Sequence, residues 1–173
     1  LEEYLRLAPA PAPRASSDGI IEPTDERFSA FVFKIQANMN PAHRDRLAFI
    51  RIVSGAFERN MSVWHEKSGK LIKLAQPQQF LAQDRQIIDT AYPGDIVGLF
   101  DPGVFGIGDT LCDPAHKFKF EDFPVFPPER FARVAAKDTM KRKQFVKGIE
   151  QLTQEGAIQL FEQVGAGLDS YIV

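Results

Sequence analysis

The sequence has one cysteine, Cys112, so no disulfide can close within the chain, and a cytoplasmic protein is the simpler reading. Three histidines, His43, His65 and His116, are scattered without metal-ligand spacing, and two ligands such as Cys112 and His116 do not make a site. No apolar run approaches the roughly 20 residues a membrane helix needs, and no signal peptide is visible. Charge of one sign is also lacking. The net charge is −2, so no global field draws the chain to nucleic acid, and any such contact must come from a local patch. A Gly-rich phosphate loop ending Gly-Lys-Ser/Thr is missing. The one Gly-Lys pair, Gly69-Lys70, runs into Leu71 and reads as a hairpin turn. No Asn-Lys-x-Asp segment is present to read guanine, and no residue set converges on a reaction, so this chain by itself is not expected to be an enzyme.

What is present is β signal. Phe28 to Met61 reads as two strands joined by a charged loop. In the first, Phe31, Phe33 and Ile35 share one face by period two, with Ala30 and Val32 on the other. The second, Leu47 to Ser54, is apolar on both faces except at Arg51 and Ser54, as in a covered or closed sheet. Between them Asn38 to Arg46 is broken by Pro41 and tipped by His43-Arg44-Asp45-Arg46. Short strands follow at Met61 to Trp64, Leu71 to Leu74 and Ile96 to Phe100, set off by Lys67-Ser68-Gly69-Lys70, Pro93-Gly94-Asp95 and Asp101-Pro102-Gly103. Their spacing suggests a small barrel over 20–113 with Phe31, Phe33, Ile50, Ile52, Ile96 and Leu99 buried.

Flanking segments differ. Leu1 to Leu7 has a helical apolar side, and Ala8 to Arg14 is a proline-rich extended stretch. Ser16-Ser17-Asp18-Gly19 reads as flexible. Residues 114–128 form a linker whose Phe118, Phe120, Phe123 and Phe126 are expected to pack on a neighbour. From 129 the pattern becomes strand (Phe131 to Lys137), helix (Thr139 to Glu155, capped by Asp138 and Gly156), strand (Ala157 to Val164), a tip at Gly165-Ala166-Gly167, and strand. Phe145, Ile149 and Leu152 share the helix face.

Two basic features could touch an anionic partner. One is the loop tip, His43, Arg44 and Arg46, with Lys34 and Arg51 nearby; it reads as an RNA phosphate contact or as a solvated loop. The other is the helix start, Lys141, Arg142 and Lys143, where 137–147 carries five cations against one carboxylate. Cations in a first helical turn oppose the macrodipole by a few tenths of a kcal/mol each, which an anion would offset. The alternative is a solvated face.

Several segments resemble the peptide chain release factor 3 family of translational GTPases. They are Lys34-Ile35-Gln36-Ala37-Asn38-Met39-Asn40-Pro41, His43-Arg44-Asp45-Arg46 and Gly148-Ile149-x-Gln151-Leu152-x-x-Glu155-Gly156-Ala157. Ser54-Gly55-Ala56-Phe57, Pro-Gly-Asp-Ile-Val-Gly-Leu and Gly-Asp-Thr-Leu resemble translational GTPases more broadly. Phe80-Leu81-Ala82-Gln83-Asp84-Arg85 departs from the family's wording at Gln83, where glycine is usual. The resemblance implies a mainly β fold: a translation-factor-type β-barrel followed by a partial α+β domain of split β-α-β, ferredoxin-like form. It divides the chain into the end of an upstream GTPase domain with its linker (1–19), the barrel (20–113), a linker (114–128) and the first half of a third domain (129–173). Both chain ends then read as cuts within a longer protein. The implied parent uses GTP and Mg on the ribosome to release class-I release factors. This portion would dock on small-subunit RNA and protein and support its own GTPase domain, meeting the class-I factors indirectly, with no membrane or DNA partner and no cofactor of its own. The alternatives are the barrel region of another translational GTPase, such as elongation factor G, or a stand-alone RNA-binding barrel.

Overall fold

The computed structural model describes residues 2–37, 46–74, 77–81, 84–161 and 170–173. It divides into two compact units, Leu1–Asp122 and Phe123–Val173. The first opens with α1 (Glu2–Leu7) and a hairpin of β1 (Arg14–Ser16) and β2 (Gly19–Ile21). Then come β3 (Ser29–Ala37), β4 (Arg46–Ser54), β5 (Phe57–Glu58), β6 (Ser62–His65), β7 (Lys70–Lys73), β8 (Gln78–Leu81), β9 (Asp84–Ile87), β10 (Thr90–Ala91), β11 (Ile96–Phe100) and β12 (Thr110–Cys112).

Eight of these strands form one antiparallel sheet in the order β7-β6-β12-β3-β4-β11-β8-β9, and β5 pairs with β10 in a separate ribbon. The sheet curls into a half-barrel. Its concave side and the ribbon share one core, built from Ala30, Val32, Ile35, Ile50, Val97 and Leu99 together with Phe57 and Ala91.

The inner face of β3 differs from the expected one. Val32 pairs with Ile50, but the next partner pair is Lys34 with Phe49, so Phe33 is an extra residue in a β-bulge. One inserted residue exchanges the faces of everything after it. Ala30 and Val32 point inward before the bulge, and Ile35 points inward after it. Phe31 and Phe33, expected inside, lie on the outer face. Phe31 is buried there nonetheless, with the Arg14 guanidinium 4.0 Å from its ring centre and Phe120 edge-on at 6.1 Å. Phe33 packs on Phe49 at 6.5 Å. Ile96, also expected inside, is 44% exposed, because it begins β11 on the face opposite Val97 and Leu99. Ile50, Ile52 and Leu99 are buried as expected.

Ser16 to Gly19 is a hairpin turn and not a loose stretch. The Ser16 hydroxyl donates to the Gly19 carbonyl, and the Ser17 N–H donates to the Lys119 carbonyl. The segment after β12 runs beside this hairpin, burying Phe118 and Phe120, whereas Phe126 is 76% exposed.

The second unit contains β13 (Arg133–Ala135), a 3-10 turn (Thr139–Lys141), α2 (Arg142–Gln154) and β14 (Ser170–Ile172), with β13 and β14 antiparallel. The Asp138 carboxylate accepts the Met140 N–H, capping the 3-10 turn, so the α-helix proper begins at Arg142, later than the sequence predicts. Its end is a Schellman motif. Gly156 sits at φ 72, its N–H reaches the Thr153 carbonyl, and the Ala157 N–H reaches that of Leu152. Ile149 is buried, and Leu152 is 44% exposed. Between 157 and 161 the expected strand is reduced to a single bridge, Phe161 to Ile172. The expected tip at Gly165 to Gly167 lies outside the described residues.

Candidate functional site

Of the expected loop contacts, His43 and Arg44 lie outside the described residues, together with the rest of 38–45. Arg46 is described, as the first residue of β4. Its Nε donates to Asp101 Oδ2 at 2.6 Å, and its terminal N–H donates to the Phe105 carbonyl at 2.9 Å. Asp101 is buried, and its other oxygen accepts the N–H groups of Gly103, Val104 and Phe105. The Arg46 guanidinium therefore ties the start of β4 to the turn after β11, whereas its place in the sequence groups it with the charged tip. Lys34 and Arg51 are exposed on the outer face of the sheet. Lys34 Nζ lies 5.6 Å from the centre of the Phe49 ring, and Arg51 pairs across the ladders with Phe31 and Ile96.

The second basic feature is gathered by α2. Lys141 closes the 3-10 turn, and Arg142 and Lys143 open the helix, with no side-chain cap at its start. All three are exposed, as is Lys147 one turn on. Arg142, Lys143 and Lys147 line a shallow groove of about 560 Å³ with Val146 and Glu150. A smaller recess of about 230 Å³ adjoins it, sharing Arg142 and Val146 and reaching Phe145 and Tyr171. The sequence shows the cations but not the recess, whose second aromatic comes from β14.

Other titratable groups are committed to structure. Buried His65 bonds the Ser68 hydroxyl through Nδ1 and Asp109 Oδ2 through Nε2, both at 2.8 Å. Burial opposes ionisation of Asp109. The bonds from His65 and the Gly106 N–H, with nearby Lys67, outweigh it and hold the carboxyl below its ordinary value. Cys112 is buried, and its burial pushes the thiol up, which is the environment of an inert cysteine. His116 turns to Asp18 and not to Cys112. Among the described residues no group of three or more His, Cys, Asp or Glu could hold a metal ion, and no helix is long and apolar enough to cross a membrane.

Each of the two units matches a known family. Residues 27–114 match elongation factor G domain 2. The chain belongs to that family. Residues 120–173 match the class II release factor RF3 C-terminal domain. Peptide chain release factor 3 of Symbiobacterium thermophilum is 65% identical over 93% of this chain, which corresponds to 30% of that relative. The Listeria welshimeri protein of the same name is 56% identical over 94% of the chain and 31% of the relative, and that of Levilactobacillus brevis 54% over 96% and 32%. The chain spans about a third of the length of the curated relatives it matches. A crystal structure of a Thermus thermophilus protein has the same fold, with a TM-score of 0.70 over 90% of this chain and 24% of that one, at 19% identity.

Proposed function

We propose that this segment is the docking and transmitting part of a release factor 3 whose GTP- and Mg-binding domain is encoded elsewhere in the protein. The whole protein would bind the ribosome in the cytoplasm, hydrolyse GTP, and release class-I release factors after termination. The observation that carries this reading is the succession, in one chain, of an elongation factor G domain 2 and a class II release factor C-terminal domain. A stand-alone RNA-binding barrel has no use for the second, and elongation factor G does not account for that wording.

The loop 38–46 would supply one contact to small-subunit RNA or protein. His43 and Arg44 would reach phosphate, and the Arg46–Asp101 pair would fix the loop's base. Such contacts position a protein on nucleic acid without reading sequence. Lys141, Arg142 and Lys143 would supply a second contact. Nucleotide chemistry is assigned to the parent because this sequence contains neither the phosphate loop nor the guanine-reading segment.

A chimera tests the reading. This segment replaces the matching third of the Symbiobacterium thermophilum protein, and GTP-dependent release of a class-I factor from terminated ribosomes is measured. Retained, ribosome-stimulated turnover is expected. A folded chimera that hydrolyses GTP without ribosomal stimulation and leaves the class-I factor bound would overturn it.

A further inference from the structure

The cations of α2 sit beside an aromatic recess, and together they suit something more particular than a phosphate. Phe145 from the helix and Tyr171 from β14 lie with ring centres 6.2 Å apart, both half-buried. They line the 230 Å³ recess with Ala135, Ala136, Val146 and Arg142. It shares Arg142 and Val146 with the groove lined by Lys143 and Lys147. An apolar, ring-lined recess adjoining a cation-lined groove fits a flat aromatic group that carries an anion.

The charge pattern points the same way. Lys143 and Lys147 are like charges four residues apart on one helix face, an arrangement that destabilises a helix in isolation. The cations at Arg142 and Lys143 also oppose the macrodipole. Within the groove the one carboxylate, Glu150, stands a turn beyond Lys147. An anion at this place relieves the repulsion on both counts.

We infer that the recess binds one unstacked nucleotide of an RNA strand, its base against Phe145 and Tyr171 and its flanking phosphates on Lys143 and Lys147. The inference rests on the reading of the α2 cations as a phosphate contact and adds the base. Stacking on aromatic side chains tolerates any base, because every base has a π-face, so the site would register an unpaired nucleotide and not a sequence. A free nucleoside monophosphate shares this chemistry, but it offers one phosphate where the groove has two lysines a turn apart.

The test uses the whole chain and a labelled heptauridylate RNA, followed by anisotropy and by the ring resonances of Phe145 and Tyr171. RNA is expected to shift both sets of ring resonances, and inorganic phosphate to shift neither. Ala136→Leu, which fills the recess without removing packing, is expected to weaken RNA binding about tenfold or more with the salt slope unchanged. Lys143→Ala/Lys147→Ala is expected to weaken binding and to flatten the slope by about 0.7 for each phosphate no longer neutralised. If the lysine pair matters while Ala136→Leu binds normally and the rings do not respond, the recess is wrong and the phosphate contact stands. If neither variant changes binding, both readings fail. If uridine monophosphate binds as tightly as the RNA, the assignment to a strand is overturned.

Discussion

Asp109 illustrates how a single buried carboxylate links the first unit's stability to pH. Its side chain is 3% exposed and holds His65, the Gly106 N–H and Lys67. Its folded-state pKa is lowered below the ordinary 3.8, so folding favours the ionised form. The stability this contributes is present above the unfolded value and is lost as pH falls through the folded one. Thermal melts should therefore drop steeply below about pH 4, and Asp109→Asn should flatten that drop while costing about 1–3 kcal/mol at pH 7 through the weakened buried bonds. Asp25, held at about 2 by hydrogen bonds from Arg27, titrates in the same direction and persists in the variant. An unchanged acid slope in Asp109→Asn would remove Asp109 from the account. Such residues show what a sequence conceals. His65 and Asp109 stand far apart in the chain, as do Arg46 and Asp101, and charge alone does not reveal which partner folding supplies. The caps Asp138 and Gly156 were legible because their bonds close within a few residues.

Strand β3 shows the same division between local and non-local information. Its existence, and those of β4 and β11, followed from β-branched and aromatic runs bounded by proline and glycine turns. Its inner face did not, because the bulge at Phe33 leaves no mark in composition. Two outer phenylalanines looked like core because other parts of the chain cover that side: Arg14 and Phe120 over Phe31, and Phe49 beside Phe33. The two readings separate by mutation. Ile35 is 3% exposed and inside, so Ile35→Ala should cost about 2–5 kcal/mol. Phe33→Ala, removing a half-buried outer ring, should cost less than Ile35→Ala despite the larger truncation. Urea midpoints at constant m value measure both. A Phe33→Ala loss exceeding that of Ile35→Ala would restore the unbulged face. The candidate site divided in the same way: the cations of α2 were legible from spacing, whereas Tyr171 entered through the β13–β14 pairing.

At the scale of the whole molecule, the proposed role is docking, with the chemistry left to the parent protein. The decisive quantity is then how ribosome affinity depends on salt. Each phosphate contact adds roughly 0.7–0.9 to the slope of log K against log salt through counterion release. Arg44 is the right residue to remove, because it stands at the centre of the loop's charged run, His43-Arg44-Asp45-Arg46. Arg46 is the wrong one, since its loss leaves the buried Asp101 carboxylate without its ion pair, a change that commonly costs about 3–5 kcal/mol and would confound binding with folding. In the whole release factor 3 carrying this segment, Arg44→Ala should weaken ribosome binding and flatten the slope by about 0.7–0.9, with the melting temperature unaltered. Adding Lys143→Ala should flatten it further by a similar amount if the two contacts are independent. An Arg44→Ala protein with unchanged affinity and slope would make the loop a solvated tip, and docking would then have to rest on α2 or on surfaces outside this chain.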